Sequence, residues 1–469
     1  MVLDSAHPQA NLSQEDALAT AVDVRESKAA RSALRKASLR LLPLIGLGYG
    51  IAYIDRVNIS FAALQMNHDL GFSATTYGLG AGLFFLTYAT LEVPSNLLLA
   101  RFGARRWLAR IMLTWGLISM AMVLVRVPWQ FYALRLLLGA AEAGFFPGVI
   151  FYLTHWFPQS HRCRAVSRFY ISLPLSSVVM GMIAGTLLNL QGKLGLAGWQ
   201  WLFLLEGIPA VLIGAAFFTM LPDVPAEAKW LTAEERGALE ALLEPTDAGA
   251  TMHGMSAVKA ALGDGRVWLL GLFLFGTMIS CYGYIFVAPS LLQQVTGWSV
   301  AWVGYLIAGI GVLTAVSMLL NGSHSDRSGE KFWHILAPTL VMLAGFLAVG
   351  LLHNAAVIVV AAACIVIASA SLQVPFVTIA PSFLRGKTAA AGIAAVNSIA
   401  LCGGFVGPYW MGRAIDLTGN YQRGMLTLAL PTLVSCGLLV VLRREMRRRE
   451  RQSPPFKAVE CGPVLVEAE

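Results

Sequence analysis

Residues Leu44–Ala62 read LIGLGYGIAYIDRVNISFA. The stretch is apolar enough to lie in lipid and close to the roughly 20 residues that a membrane-spanning helix needs. Yet it places Asp55 and Arg56 side by side, with Tyr49 and Tyr53 just ahead of them. A second stretch, Arg135–Gly148, reads RLLLGAAEAGFFPG and holds Arg135 and Glu142 seven residues apart. Seven residues are about two helical turns, so the two side chains share one face. An ionisable group at the centre of a membrane helix costs about 3 kcal/mol or more, which turns such groups toward a cavity and a partner rather than toward lipid. Two acids and two bases placed this way point to a water-accessible, charge-handling site inside a membrane protein.

The rest of the chain agrees. Of its 469 residues, 57% are hydrophobic and only 13% are charged, against about 25% charged in a soluble domain. No Asp, Glu, Lys or Arg occurs between Arg266 and Asp326, or from Phe332 to Leu384. Blocks of that length suit pairs of spans joined by short turns. Twelve apolar segments are expected, near 39–63, 78–100, 107–126, 129–154, 166–190, 199–221, 267–292, 300–322, 332–352, 355–383, 387–412 and 420–442. This predicts an all-α, polytopic membrane protein of twelve transmembrane helices. A polar N-terminal tail (1–38) precedes a six-helix half (39–221). A linker (222–266) with Pro222, Pro225, Pro245 and the helical patch AEERGALEALLE leads to a second half (267–442) and a C-terminal tail (443–469). Both tails and the linker are expected to be cytoplasmic. No removable signal peptide is expected, because no short apolar stretch with a small-residue cleavage site stands alone at the start.

The net charge of +8 does not indicate nucleic acid. With both termini cytoplasmic, only Arg126, Lys193, Arg413 and Arg423 fall in outward loops, and only Arg56 and Arg135 in the membrane. All other Lys and Arg lie on the inner side, the bias that sets membrane topology. The Arg-rich run from Arg443 to Arg451 is expected to touch anionic lipid. Six cysteines (Cys163, Cys281, Cys364, Cys402, Cys436 and Cys461) show no metal or CxxC spacing and are read as packing residues. Gly46-x-Gly48-x-Gly50 lacks a nucleotide-fold context and reads as close helix packing. Asn58-Ile-Ser60 is a chance glycosylation match within a span, and His155 and His161 are read as solvated. No cofactor and no metal site is expected, and no enzyme: neither a nucleophile–base pair nor a metal set stands in the spans. A receptor on the same scaffold would carry an added domain or a long tail, which is not seen, and a channel would not need two duplicated halves.

The duplication shows in the turns. ARFGARRW (Ala100–Trp107) follows the second segment and GSHSDRSGEKFW (Gly322–Trp333) follows the eighth. Each has Arg-x-Gly followed by basic residues and Trp, at Arg101/Gly103 and Arg327/Gly329. The turn Gly322-x-x-x-Asp326-Arg327-x-Gly329 resembles the loop signature of the major facilitator superfamily. YIDRVNISFAAL, LEVPSNLLLARFGARRW, RLLLGAAEAGFFPGVIFYLTHWFP and GWQWLFLLEGIPA resemble its anion:cation symporter family, closest to tartrate-type permeases. The resemblance runs from about Leu39 to Arg443. It implies a proton-coupled secondary transporter of the bacterial inner membrane, importing a small organic anion such as a tartrate or sugar acid by alternating access. An aromatic carboxylate is the alternative cargo, and a monomer is expected. Repeats of this kind surround a central site near the bilayer midplane. The resemblance also implies gating roles for Arg101, Gly103, Asp326, Arg327 and Gly329. The acid expected before Arg101 is replaced by Ala100, so that charge cluster must lean on Asp326 and other groups.

Adjacent helix residues point about 100° apart, so Asp55 and Arg56 do not simply neutralise each other. Arg56 is left free for a ligand carboxylate, which its planar fork suits; a buried ion pair between helices is the structural alternative. The resemblance assigns Arg56 to substrate binding, and Asp55 and Glu142 to proton coupling. Arg135 is a further substrate-binding candidate. The second half has no ionisable residue within its spans, so it must offer neutral groups: Tyr282, Tyr284, Gln373 and Asn397. Hydroxyls and amides of this kind suit a hydroxylated acid. Tyr53 and Tyr88 are cavity candidates, with Ser172, Ser176 and Ser177 behind them. Structural or gating roles are expected for Glu92 and Glu206.

Overall fold

The computed structural model describes residues 27–170, 172–243, 255–384 and 386–452. Residues 1–26 and 453–469 of the expected tails, 244–254 of the linker, Cys461 and the side chain of Cys163 lie outside the described residues. Lipid offers backbone groups no hydrogen-bond partners, so an isolated span must satisfy them within a helix. Among the described residues every regular element is helical. The first half comprises α1 (Lys28–Leu70), α2 (Ala74–Phe102), α3 (Ala104–Ala121), α4 (Pro128–Glu142), α5 (Phe145–Thr154), α6 (Gln159–Tyr170), α7 (Ser172–Leu188) and α8 (Gly198–Met220). The linker carries α9 (Ala233–Leu242) and α10 (Met255–Leu262). The second half comprises α11 (Gly265–Ile285), α12 (Ala288–Thr296), α13 (Val300–Ser328), α14 (Phe332–Leu351), α15 (Ala355–Ser371), α16 (Gln373–Val377), α17 (Ile379–Phe383), α18 (Gly386–Thr418) and α19 (Tyr421–Gln452). Eleven of the spans are long and apolar enough to cross a membrane on their own measure. The 17-residue α7 supplies the twelfth. The protein is an all-α polytopic membrane protein of twelve spans in two pseudo-symmetric halves.

Three features differ from the expected segments. The first helix starts at Lys28 rather than near 39, because the Ser27 hydroxyl accepts the Ala30 amide at 3.0 Å and caps it there. The last helix runs on to Gln452. The fourth, seventh and tenth spans are broken rather than continuous: α4 stops at Glu142 and α5 begins at Phe145, α11 stops at Ile285 and α12 begins at Ala288, and α15, α16 and α17 are separated at Leu372 and Thr378. Gly144 makes the first break, with φ +84, a conformation that disfavours a side chain. The fourth and tenth are corresponding spans of the two halves, and interrupted helices of this kind mark binding sites in duplicated transporters.

The halves meet tightly at the end of the bundle where α1 finishes and α2 begins. Gly78 and Gly82 of α2 lie against the Pro408 and Phe405 carbonyls of α18, and Gly412 lies against Ala74. Asp416 accepts the amides of Ala74 at 3.1 Å and Thr75 at 2.8 Å, satisfying the first turn of α2 from the other half. Opposite, Gly181 and Gly185 of α7 meet Gly304 and Ala301 of α13. Absent side chains let these backbones touch, and the far end is sealed. A cavity between the halves extends from there toward the linker end, where Glu92, Val377, Ala380 and Ile393 line it.

The linker is docked on the first half. Trp230 stacks on Trp156 with 5.5 Å between ring centroids, and the Arg40 guanidinium lies 5.3 Å over the same ring. Glu235, which closes a capping box with Thr232, accepts hydrogen bonds from Ser32 at 2.6 Å and Lys36 at 2.8 Å. Gly103, with φ +86, and the Arg105 amide face Asp223 of the linker, which accepts that amide at 2.7 Å. Arg105 also lies 3.8 Å from Asp223 and 3.7 Å from Glu227. Asp223 thus brings a carboxylate to the turn where Ala100 replaces one. Its counterpart Gly329 has φ +65, while Asp326 and Arg327 are exposed and make no ion pair among the described residues.

The Glu235 carboxyl is held down from 4.5 to about 2, chiefly by the Lys36 hydrogen bond, then by Ser32 and the Thr232 amide. A depressed carboxyl contributes stability that is fully present above its ordinary pKa and lost as pH falls through the folded value. Docking of α9 should therefore hold from neutral pH down to about 4.5 and be lost toward 2. Hydrogen exchange of the α9 amides on acidification checks this. Glu235→Gln should loosen α9 at neutral pH; unchanged protection in that variant would show that the tryptophan stack alone holds the linker.

Candidate functional site

Asp55 and Arg56 are consecutive in α1 and diverge. The Arg56 guanidinium reaches across to Glu142, the last residue of α4, and donates to its carboxylate. Asp55 is 2% exposed. It accepts from the Trp115 indole at 2.7 Å and the Asn58 amide at 3.2 Å, and also from the Ser119 hydroxyl. Donors from α1 and α3 therefore satisfy Asp55, so it does not compete for Arg56. Glu142 is 1% exposed, and its second carboxylate oxygen has no partner among the described residues.

Arg135 shares a face with Glu142 but does not pair with it. It donates to the carbonyls of Gly80 and Ala81 in α2, each at 3.3 Å, and lies 5.0 Å from the Phe84 ring. At 1% exposure it sits behind the cavity wall rather than on it. This departs from the expected contact with substrate. The α2 glycine backbone draws the guanidinium away from the cavity, and its charge acts on Asp55 instead.

The cavity holds about 450 Å³. Tyr53, Arg56, Tyr88, Tyr282, Gln373 and Asn397, the substrate-binding candidates of the sequence apart from Arg135, all line it. Asp55 and Glu142 do not; they lie in the layer behind. Among the described lining residues Arg56 is the only cation and Glu92 the only acid. The Arg56 guanidinium stands 5.3 Å from the Tyr88 ring and 5.4 Å from that of Phe84, a cation–π setting that orients it. The Tyr282 ring packs at 4.4 Å on Phe85, on the side facing α11. Gln373 opens the break in the tenth span, and Asn397 projects from α18. Sequence reading did not single out Thr277, Thr314 and Ser369, which add hydroxyls to the second-half wall. Isolated hydroxyl residues in apolar runs carry no positional signal. The breaks in the fourth and tenth spans were signalled, by Gly144 with Pro147 and by Pro375.

The arrangement can do one thing well. A ligand carboxylate entering the cavity meets a single guanidinium, already occupied by a buried acid.

Comparison with known proteins fits this geometry. A family model described as Major Facilitator Superfamily matches residues 45–408. A protein of Agrobacterium vitis named "Putative tartrate transporter" is 44% identical over 411 residues, covering 88% of this chain and 91% of its own length. A "Quinolone resistance transporter" of Acinetobacter baumannii is 38% identical, covering 90% and 98%. Among solved structures, a bacterial homolog of the human lysosomal transporter Spinster, inward-facing and unoccupied, superposes with a TM-score of 0.74 at 17% identity, covering 90% of this chain and 98% of that one. That last likeness is one of fold.

Proposed function

This chain belongs to the Major Facilitator Superfamily of membrane transporters, and on that premise we propose that it imports a small organic anion together with protons, by alternating access. The observation that carries the reading is the Arg56–Glu142 pair at the wall of a cavity with no other described cation. A proton added to the Glu142 carboxylate removes its charge and frees the guanidinium. The substrate carboxylate then takes the fork, whose paired N–H groups match it. After the halves rock, substrate leaves, Glu142 releases its proton, and the pair re-forms. A sealed far end, a cavity reaching the linker end and a formed pair correspond to the state after release. Duplicated halves meeting through small residues support the rocking.

The basic residues at the linker end support a bacterial inner-membrane protein with that end and both termini in the cytoplasm. One chain contains the whole cavity, in keeping with a monomer that needs lipid, substrate and protons and no nucleic acid. The gating assignment rests on the Gly103 and Gly329 turns, with Asp223 supplying the acid that position 100 lacks. The hydroxyls and amides of the second half suit a tartrate-like or sugar acid, the class named for one relative. A second reading, an aromatic carboxylate, is favoured by the rings of Tyr49, Tyr53, Tyr88, Phe146 and Tyr282 around Arg56.

Uptake of a labelled panel into vesicles, with and without a pH gradient, tests both. Asn397→Ala should weaken hydroxylated acids about tenfold, the value of one hydrogen bond to a charged or polar ligand group, and leave acids without hydroxyls unchanged. Equal losses would make Asn397 a packing residue. Uptake of aromatic acids alone would select the second reading, and uptake unaffected by the gradient would remove proton coupling.

A further inference from the structure

A third carboxyl lies in the first half, away from the cavity. Glu206 of α8 is 5% exposed, and neither of its carboxylate oxygens has a hydrogen-bond partner among the described residues. It makes no ion pair among them. Its electrostatic neighbours are the Asn58 side chain and Asp55, both from α1. Asn58 is fully buried; its amide nitrogen serves Asp55, while its carbonyl oxygen is unpartnered. The groups packed around are accounted for. Trp115 and Ser119 of α3 donate to Asp55, Arg135 of α4 acts on Asp55, and α7 has no ionisable side chain. Gly207, next to Glu206, lies on the Gly116 carbonyl of α3.

Two buried carboxyls therefore share one compartment in different circumstances. Three donors converge on Asp55, while Glu206 has only the Asn58 side chain within hydrogen-bonding reach and in no well-formed bond. An isolated carboxylate taken out of water is so costly that the group neutralises instead. Of the three acceptor oxygens without a well-formed bond, Asn58 Oδ1 and both of Glu206, a single proton carried by one Glu206 oxygen and donated to Asn58 Oδ1 resolves two.

Position adds direction. The Trp199 indole donates to Asp69 at 3.1 Å, which sets the start of α8 beside the end of α1. At 1.5 Å per residue, Glu206 lies about 12 Å from that sealed far end and Asp55 about 22 Å from it. Glu206 is the more outward of the two.

We propose that Glu206 is a proton-binding site, loaded from the far side of the membrane, that supplies Asp55 across Asn58. The proton leaves a Glu206 oxygen and is taken up by an Asp55 oxygen, so the pair keeps one proton and one negative charge. Its part in turnover rests on the proton-coupled reading above; the bound proton does not.

Infrared spectroscopy of the purified full-length protein tests the site directly. At neutral pH the wild type should show a protonated-carboxyl carbonyl band that Glu206→Gln lacks and Glu142→Gln retains. Carbodiimide, which attacks protonated carboxyls in apolar surroundings, should label Glu206 in the wild type, read by peptide mass spectrometry, with labelling falling as pH rises. In vesicles, Glu206→Gln should keep counterflow and move one proton fewer per substrate. Identical carboxyl bands in wild type and Glu206→Gln, or an unlabelled Glu206, would overturn the proposal. So would protection of Glu206 by sodium at constant pH, which would make the oxygens a metal site. If Glu142→Gln loses no coupling while the Glu206 band is present, the transport reading fails and the proton site stands.

Discussion

Vesicles reconstituted with Glu142→Gln should exchange labelled for unlabelled substrate but accumulate none when a pH gradient is imposed. The amide reproduces the neutral acid, so Arg56 is left without its anionic partner in every state. Substrate can then dock in either orientation of the halves, which is all that exchange requires. On the proposed mechanism uphill transport needs the acid to pick up and release a proton in each cycle, and glutamine does neither. The structure sharpens this expectation, because Glu142 meets Arg56, the proposed binding group, itself. Asp55→Asn should fail in the same assay by another route. It cannot take up a proton, and it loses acceptor capacity for Trp115, Ser119 and Asn58. Full proton-driven accumulation in both variants would place coupling at Glu92 or Glu206 instead.

Arg56→Lys should lower uptake of the acid by about 10- to 100-fold at unchanged expression, which corresponds to losing one hydrogen bond to a charged group. Lysine keeps the charge, so Glu142 retains a counterion and the first half should fold. What is lost is the planar fork, which binds a carboxylate through two parallel bonds, and the stacking on Tyr88 and Phe84. A neutral replacement is less informative, since stranding the Glu142 charge in the interior costs about 3–5 kcal/mol and confounds folding with binding. Substrate affinity measured on purified protein decides the matter. Wild-type affinity in the lysine variant would move the substrate carboxylate elsewhere in the cavity, where the described residues offer it no other cation.

The twelve spans were legible because lipid imposes a one-dimensional rule. A span needs about 20 residues without charge, so the charge-free blocks from 267 to 325 and from 332 to 384 announce themselves along the chain. The duplicated turns are equally local, since Gly103 and Gly329 answer a backbone requirement of their own positions. The few charges left inside the spans also pointed to the candidate site, as each carries a cost that chance does not sustain, though only Arg56 and Glu92 of them line the cavity. Helix periodicity was right that Asp55 and Arg56 part company and that Arg135 and Glu142 share a face. It could not say which partner each finds, because periodicity gives a direction around one helix and no neighbour. Packing chose Glu142 for Arg56, a residue 86 positions away, and gave Arg135 to the carbonyls of α2. Packing likewise left Glu206 without a donor and brought Asp223 from the linker to the turn that lacks an acid. Those outcomes depend on how closely glycine-lined backbones approach and on which side chains meet across helices. They are properties of the assembled bundle, and no single stretch of the chain contains them.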